Sequence, residues 1–289
     1  MSNHAAGYHV ILSEMLENLP ESEKKVAVFI LEHPEEAINL TAKELGKRSG
    51  TSGAAVIRLC KSLKLKSFQE LKMRIAVDLQ NKNYTEYREI NPDESINSII
   101  QKMTSNSIQA IKETAAIMNQ EELKKAVNMI RKARKIIFIG VGASGIVAQD
   151  AKQKFLRIDK NVYAFTDIHM AATQIAVAGH QDVVIVISHS GETMEIVNML
   201  QLAKQKKIPT IGITKYGKSK VAEQADVILF TSSGREPVFR SGATASRVAQ
   251  LHVIDILYIA VASKEFEKSV EYLDATRKAV EFLKSKHRS

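Results

Sequence analysis

Two short runs of glycine and hydroxyl residues, each directly behind an apolar run, constrain this chain more than anything else in it. Residues 140–145 read Gly-Val-Gly-Ala-Ser-Gly and follow Ile-Ile-Phe-Ile; residues 188–193 read Ser-His-Ser-Gly-Glu-Thr and follow Val-Val-Ile-Val-Ile. Continuous apolar runs of four or five residues predict strands buried on both faces, as in a parallel sheet. Each small-residue run opens into a helical pattern. A strand that turns through small residues into a helix leaves unpaired N–H groups facing outward, with the positive end of the helix dipole behind them. Glycine lets an anion approach the backbone, and serine or threonine adds hydroxyl donors. Two such turns in one sheet predict a phosphate cradle built from Gly142, Ser144, Ser188, Ser190, Gly191 and Thr193.

The first turn alone leaves a dinucleotide site open, because Asp167 lies about 25 positions past Gly142, where a ribose-binding acid belongs. The second turn decides against it. Ser188, Ser190 and Thr193 supply more hydroxyls than a tight strand-to-helix turn needs. The other reading of these residues is as ordinary helix N-caps. GVGASG followed by ISHSGET resembles the sugar isomerase (SIS) domain, an αβα sandwich that binds phosphosugars. In that family the hydroxyls and amides of the second motif hold the sugar phosphate.

Strand candidates at 135–141, 161–165, 182–188, 209–214 and 226–230 alternate with helical patterns. The expected fold is therefore α + α/β: an all-helical N-terminal domain, then an αβα sandwich on a five-stranded parallel sheet. Both Gly/Ser turns fall at the carboxyl edge of that sheet, where ligands of such folds bind. Residues 247–262 form an apolar closing helix, and 265–284 an amphipathic one. The domain limits expected are 1–80 and 94–289, with a polar linker at 81–93 (NKNYTEYREINPD). After it, Ile96, Ile99, Ile100, Met103, Ile108 and Ile111 mark a long helix.

Charge sorts the N-terminal quarter. Between Lys43 and Arg74 nine basic residues face two acids, a net of +7 out of +9 for the chain. A patch this focused implies a polyanion partner. The same stretch reads as short helices. Pro20 closes the first, Ser22 caps the second, Thr41 and Glu44 form a capping box, and Thr51 or Ser52 caps the helix after Gly50. Ser67 and Glu70 open the last helix in the same manner. Two short helices joined by a glycine turn, the second basic, form the helix-turn-helix pattern. Val56, Leu59, Cys60 and Leu63 share its inward face; Ala54, Ala55, Arg58 and Lys61 are assigned outward, toward a major groove. Lys43, Thr51, Ser52, Lys64 and Lys66 are assigned to phosphates. A basic solvated face of a packing domain is the alternative.

The other titratable residues form no acid–base pair. His169, His189, Glu192, Glu195 and Glu236 are the candidates; His189 lies inside the second turn, and Glu236 and Arg240 on a loop before the closing helix. His189, Glu236 and Arg240 are retained as possible ligand contacts, and no catalytic residue, metal or cofactor is assigned. Cys60, the only cysteine, fits a reducing cytoplasm and a place in the core. No apolar run approaches the ~20 residues of a membrane span, and the N-terminus lacks a secretory pattern.

A helix-turn-helix followed by a phosphosugar domain resembles the RpiR family of bacterial transcriptional regulators along nearly the whole chain. AAVIRLCKSLKLKSFQELKMRIA is similar to the family's recognition helix and the helix after it, and SRVAQLHVIDILY to its closing helix. Two residues depart: the family often has Thr where Ala55 stands and Gly where Lys64 stands. Overall similarity is greatest to regulators of N-acetylmuramic acid use. The resemblance implies operator DNA and a phosphosugar effector as partners, no membrane, a homodimer or homotetramer, and a repressor. The alternative is a phosphosugar isomerase or etherase with an accessory helical domain.

Overall fold

The computed structural model describes residues 7–80, 90–91, 93–232 and 243–285. They fall into two compact units divided between Ile117 and Met118, with Tyr216–Lys218 and Ser232 grouped with the first. The sequence placed the sheet domain's start at residue 94, so the long helix Ile96–Ile117 changes sides. Most of the expected linker, 81–89 and Pro92, lies outside the described residues.

The first unit is helical: α1 (Tyr8–Met15), a 3-10 turn at Leu16–Asn18, α2 (Glu21–Glu32), α3 (Pro34–Ala37), α4 (Ala42–Arg48), α5 (Gly53–Ser62), α6 (Phe68–Gln80) and α7 (Ile96–Ile117). Val26, Ile30, Leu45, Val56, Leu59 and Leu71 are fully buried together in its core. The Thr41 box forms in full: Thr41 Oγ1 accepts the Glu44 N–H and the Glu44 carboxylate accepts the Thr41 N–H. Ser52, not Thr51, caps α5, accepting from the Ala55 N–H. Ser22 does not cap α2, which starts behind Pro20. Ser67 caps α6 through the Glu70 N–H, but Glu70 returns its bond to the Lys66 amide.

On α7 the apolar stripe is not the buried one. Ile96, Ile100 and Ile108 are exposed, whereas Asn106, Gln109 and Thr114 are buried. Ala110 and Ile117 are buried beside them, and the polar part of this face is used where Thr114 Oγ1 accepts the Ser232 N–H and Glu113 accepts the Ser232 hydroxyl.

The second unit starts with α8 (Gln120–Lys132), whose Glu121 and Glu122 amides donate to the Asn119 side chain. Then β1 (Ile136–Gly140), α9 (Gly142–Leu156), β2 (Val162–Phe165), α10 (Ile168–Ala176), β3 (Val183–Ile187), α11 (Met194–Gln205), β4 (Thr210–Lys215), α12 (Lys220–Gln224) and β5 (Val227–Thr231) alternate, closed by α13 (Thr244–Lys264) and α14 (Phe266–Ser285). All five strands run parallel, as expected, and their order is β2-β1-β3-β4-β5. Every residue of β1 and β3 is buried, because helices cover both faces. Ile136, Phe138, Ile185 and Ile187 pack against α8, α9 and α13; Ile137, Ile139, Val184 and Val186 pack against α10, α11 and α12. Burying each such side chain contributes roughly 1.5–3 kcal/mol, and Phe138→Ala would cost about 3–5 kcal/mol.

The helix α13 is long and apolar enough, by length and composition, to cross a membrane, which the sequence reading did not anticipate. Ala249, Val253, Ile254, Leu257 and Val261 are instead buried against the sheet.

Candidate functional site

Strand order fixes where the two turns meet. From β1 the chain crosses to β2 on one side, while β3 pairs on the other side of β1. The carboxyl ends of β1 and β3 therefore flank the switch point, where a parallel sheet opens a crevice. Residues 140–145 leave β1 there, and residues 188–193 leave β3.

Each turn has the backbone that an anion site needs. Gly142 adopts φ +55°, and a Cβ added there meets nothing within 4 Å, so the space above it is open. Gly140 and Gly145 act differently: a Cβ on Gly145 would lie 2.7 Å from Thr166 Cγ2, and one on Gly140 2.5 Å from the Ser144 carbonyl oxygen. They let α9 start hard against the strand. Gly191 adopts φ +68° in a crowded place, where a Cβ would lie 2.7 Å from Thr214 Oγ1.

The hydroxyls follow. Ser188, buried, donates to Thr193 Oγ1 at 3.2 Å and accepts the Gly191 N–H at 3.2 Å. Ser190 is exposed and accepts the Glu192 N–H at 3.2 Å. Thr193 stands at the N-cap of α11 without capping it, and Val141 stands likewise before α9. The N-cap reading therefore fails at Thr193, and among the described residues no side chain accepts from the first N–H groups of either helix. Ser144 is buried and its hydroxyl meets the Gln250 amide at 3.2 Å. Gln250, on α13 and 106 residues away, was invisible to motif reading. The His189 carbonyl accepts from the Lys215 N–H and from Thr214 Oγ1, which pins the second turn to β4.

The remaining candidates disperse. Glu192 accepts the Lys220 N–H at 2.9 Å, serving α12 rather than the dipole of α11. Asp167 caps α10 through the amides of His169 and Met170, and His169 is exposed. Glu195 is exposed on the first turn of α11. Glu236 and Arg240 lie outside the described residues.

In the helical unit, Gly46 makes the helix-turn-helix crossing possible: a Cβ there would lie 2.6 Å from the Gly53 nitrogen. Gly50, at φ +66°, turns the chain. Thr51 is half-buried and its hydroxyl donates to the Gly46 carbonyl; with Ser52 capping α5, both hydroxyls serve the turn. The outward side of α5 carries Ala54, Ile57, Arg58 and Lys61, all exposed. Ala55 is a correction, being buried at 1% exposure, because the α5 face turned toward α4 and α2 includes it. Ile57 was missed, although its spacing from Ala54 and Lys61 places it on the outward stripe. Arg58 donates to the Ser22 hydroxyl at 3.2 Å and lies 3.8 Å from the buried Glu23 carboxylate, so α2 holds it in place. Lys43, Lys47, Lys64 and Lys66 are exposed. Lys72 and Arg74 are engaged, the first on the Leu40 carbonyl, the second on Glu70 and over the Tyr8 ring. Burial pushes the Cys60 thiol up to about 11, as befits a core residue.

A helix-turn-helix domain of the rpiR family matches residues 6–82, and the SIS domain matches residues 129–260. The HTH-type transcriptional regulator YbbH of Bacillus subtilis (strain 168) is 47% identical over 282 residues, 98% of this chain and 100% of that protein. The HTH-type transcriptional regulator TTE0211 of Caldanaerobacter subterraneus subsp. tengcongensis is 43% identical over 274 residues, 95% of this chain and 97% of that protein. The Vibrio vulnificus NanR protein complexed with ManNAc-6P superposes with a TM-score of 0.60 at 26% identity, covering 95% of this chain and 98% of that one. Both full-length relatives carry the name of HTH-type transcriptional regulator. The chain therefore belongs to the RpiR family of transcriptional regulators, joining a DNA-binding helix-turn-helix to a phosphosugar-binding SIS domain.

Proposed function

We propose that this protein is a cytoplasmic repressor of amino-sugar catabolism whose operator affinity is set by a phosphosugar, N-acetylmuramic acid 6-phosphate. The observation that carries the reading is the meeting of two uncapped helix N-termini and three hydroxyls at the β1/β3 switch point. A phosphate there accepts from Ser188, Ser190 and Thr193 and from the first amides of α9 and α11. Ser144 adds a hydroxyl shared with Gln250. Gly142 leaves the approach open, and His189, Glu236 and Arg240 are the further contacts assigned. The structural relative NanR is complexed with ManNAc-6P, likewise an acetylated amino sugar carrying a 6-phosphate, which supports the ligand class.

On the DNA side, Ala54, Ile57, Arg58 and Lys61 face the bases, while Lys43, Lys64 and Lys66 take phosphates. Two copies reading half-sites about one turn (~34 Å) apart give the specificity. The ligand alters DNA affinity only by its differential affinity for two arrangements of the protein.

The test is fluorescence anisotropy on DNA from the gene's own upstream region at fixed salt, with and without a panel of hexose and amino-sugar 6-phosphates. A shift with N-acetylmuramic acid 6-phosphate alone supports the effector and reads its sign. The S188A/S190A variant should lose the shift and keep operator binding: two hydrogen bonds to a charged group, at roughly 1.5–3 kcal/mol each, lower ligand affinity at least 100-fold. R58A/K61A should weaken operator binding and blunt its discrimination between operator and unrelated DNA, since these residues face the bases. Loss of both responses in either variant would overturn the division of labour.

A further inference from the structure

One buried amide stands among the apolar side chains that join α9 to α13. Val147, Ala148 and Ala151 of α9 and Ala249, Val253 and Ile254 of α13 are fully buried in the same core. Gln250 of α13 is 1% exposed beside them. An amide taken out of water costs free energy unless it is hydrogen-bonded, and a leucine of similar size would fill the place without that cost. Its partner is Ser144, the third residue of α9. Ser144 Oγ lies 3.2 Å from Gln250 Oε1 and also 3.2 Å from Gln250 Nε2. The hydroxyl therefore faces the acceptor and the donor of one amide at equal distance. Either polarity of the bond forms without displacing a heavy atom.

Counting protons shows what that arrangement can do. A serine hydroxyl has one proton to donate and two lone pairs. Donated to Oε1, the proton is withheld from any anion in the crevice. A phosphate dianion only accepts, so Ser144 serves it only by turning its proton that way. The lone pair left toward α13 then needs a donor, and Nε2 stands in place to supply one. A hydroxyl that accepts from an amide while donating to an anion is polarised by the first bond and makes the second one stronger. A carboxylate at this position would only accept, and an aliphatic side chain would do neither.

We propose that Gln250 is the positioning residue for Ser144. Its amide accepts the serine hydrogen bond in one state and donates one in the other, when the hydroxyl turns to a bound phosphate. No proton leaves the serine; only the direction of the bond reverses. The polarity of a single buried bond thus carries the occupancy of the phosphate site into α13. The proposal rests on the reading of Ser144 as a ligand contact.

The test uses the full chain, with N-acetylmuramic acid 6-phosphate and inorganic phosphate as probes. Affinity is read by isothermal titration calorimetry at fixed salt, and circular dichroism verifies folding. In the wild-type background S144A should weaken binding roughly tenfold or more, the worth of one hydrogen bond to a charged group. Q250E offers acceptors alone, which keep the serine proton on α13, so in that background S144A should change affinity by less than about twofold. Repulsion between the introduced carboxylate and the phosphate is common to both members of that comparison and cancels. Q250L offers no competing acceptor, and there S144A should again cost roughly tenfold. The same S144A factor in all three backgrounds is what a merely structural Gln250 gives, and it would overturn the proposal.

If Q250E does not fold, NMR of isotopically glutamine-labelled protein decides. The Gln250 Nε2 protons, assigned by their absence in Q250L, should move downfield when either probe saturates the wild type and stay in place in S144A. Unmoved protons in the wild type would overturn the proposal. The ligand reading beneath it fails by a separate sign: neither probe binds the wild type, or S144A binds both as tightly as the wild type does, and the proposal then falls with it.

Discussion

Gly142 and Gly191 both hold left-handed backbone in the candidate ligand site, but alanine at each should fail by a different amount. At Gly142, φ +55°, the added methyl enters open space. The cost is the left-handed conformation alone, roughly 1–2 kcal/mol for an L-residue, offset in part by about 0.4–1 kcal/mol from a stiffer unfolded chain. The net is about 1 kcal/mol. At Gly191, φ +68°, the methyl also lies 2.6 Å from Ser219 Cβ and 2.7 Å from Thr214 Oγ1. Overpacking then adds roughly 1–3 kcal/mol, for a total of about 3 kcal/mol. At about 2–4 °C per kcal/mol for a domain of this size, calorimetry should show G142A melting ~2–4 °C low and G191A ~6–12 °C low.

Ligand binding should separate the two further. G142A places a methyl where the anion approaches and should lose phosphosugar affinity with little loss of stability. G191A should lose both, since the same turn orients Ser188. Equal melting shifts, or a phosphosugar affinity unchanged in G142A, would refute the reasoning.

The buried Asp182 carboxylate accepts two bonds from the Arg134 guanidinium and one from the Gly179 N–H, and Arg134 holds its carboxyl below the usual range. A depressed folded-state pKa contributes stability above the ordinary carboxylate range that is lost as pH falls through it. R134A should therefore melt lower at pH 7 than wild type, with the gap narrowing below about pH 4. Asn119→Ala removes the cap of α8 and should cost about 1 kcal/mol, read as a lower denaturation midpoint at unchanged slope. Lys64 sits at φ +55° just past α5, so K64G should gain roughly 0.5–1 kcal/mol of stability while reducing the DNA salt slope by about 0.9. K207G, relieving φ +57° after α11, should gain stability with no change in DNA binding.

The sheet was legible because its central strands β1 and β3 are short apolar runs rich in isoleucine and valine and buried on both faces, and the other strand candidates recur between helical patterns. The two turns were legible for the same reason, since they follow strands. Finer placement was not. Ala54 and Ala55 carry no polarity, so the alternation that exposes one and buries the other had to come from neighbours on α2 and α4. Ser144 pairs with Gln250 across 106 residues, and Thr114 with Ser232 across 118; no local spacing encodes such bonds. The α7 stripe misled because part of the buried face is polar, with Glu113 and Thr114 bonding Ser232 far along the chain. The short α3 escaped notice because four residues that bury only Ala37 leave no periodic trace.

Although β1 and β3 are neighbours, the helices they feed lie on opposite faces of the sheet, α9 with α13 and α11 with α10. The two plies are laminated only through the strands between them. On the proposed reading, a phosphate held by both turns is a rivet driven through the edge of that laminate. It resists sliding of one ply against the other, a shear that packed helices otherwise permit at low cost. Binding so placed need not displace any strand to be felt: anything resting on either ply meets a stiffer sheet.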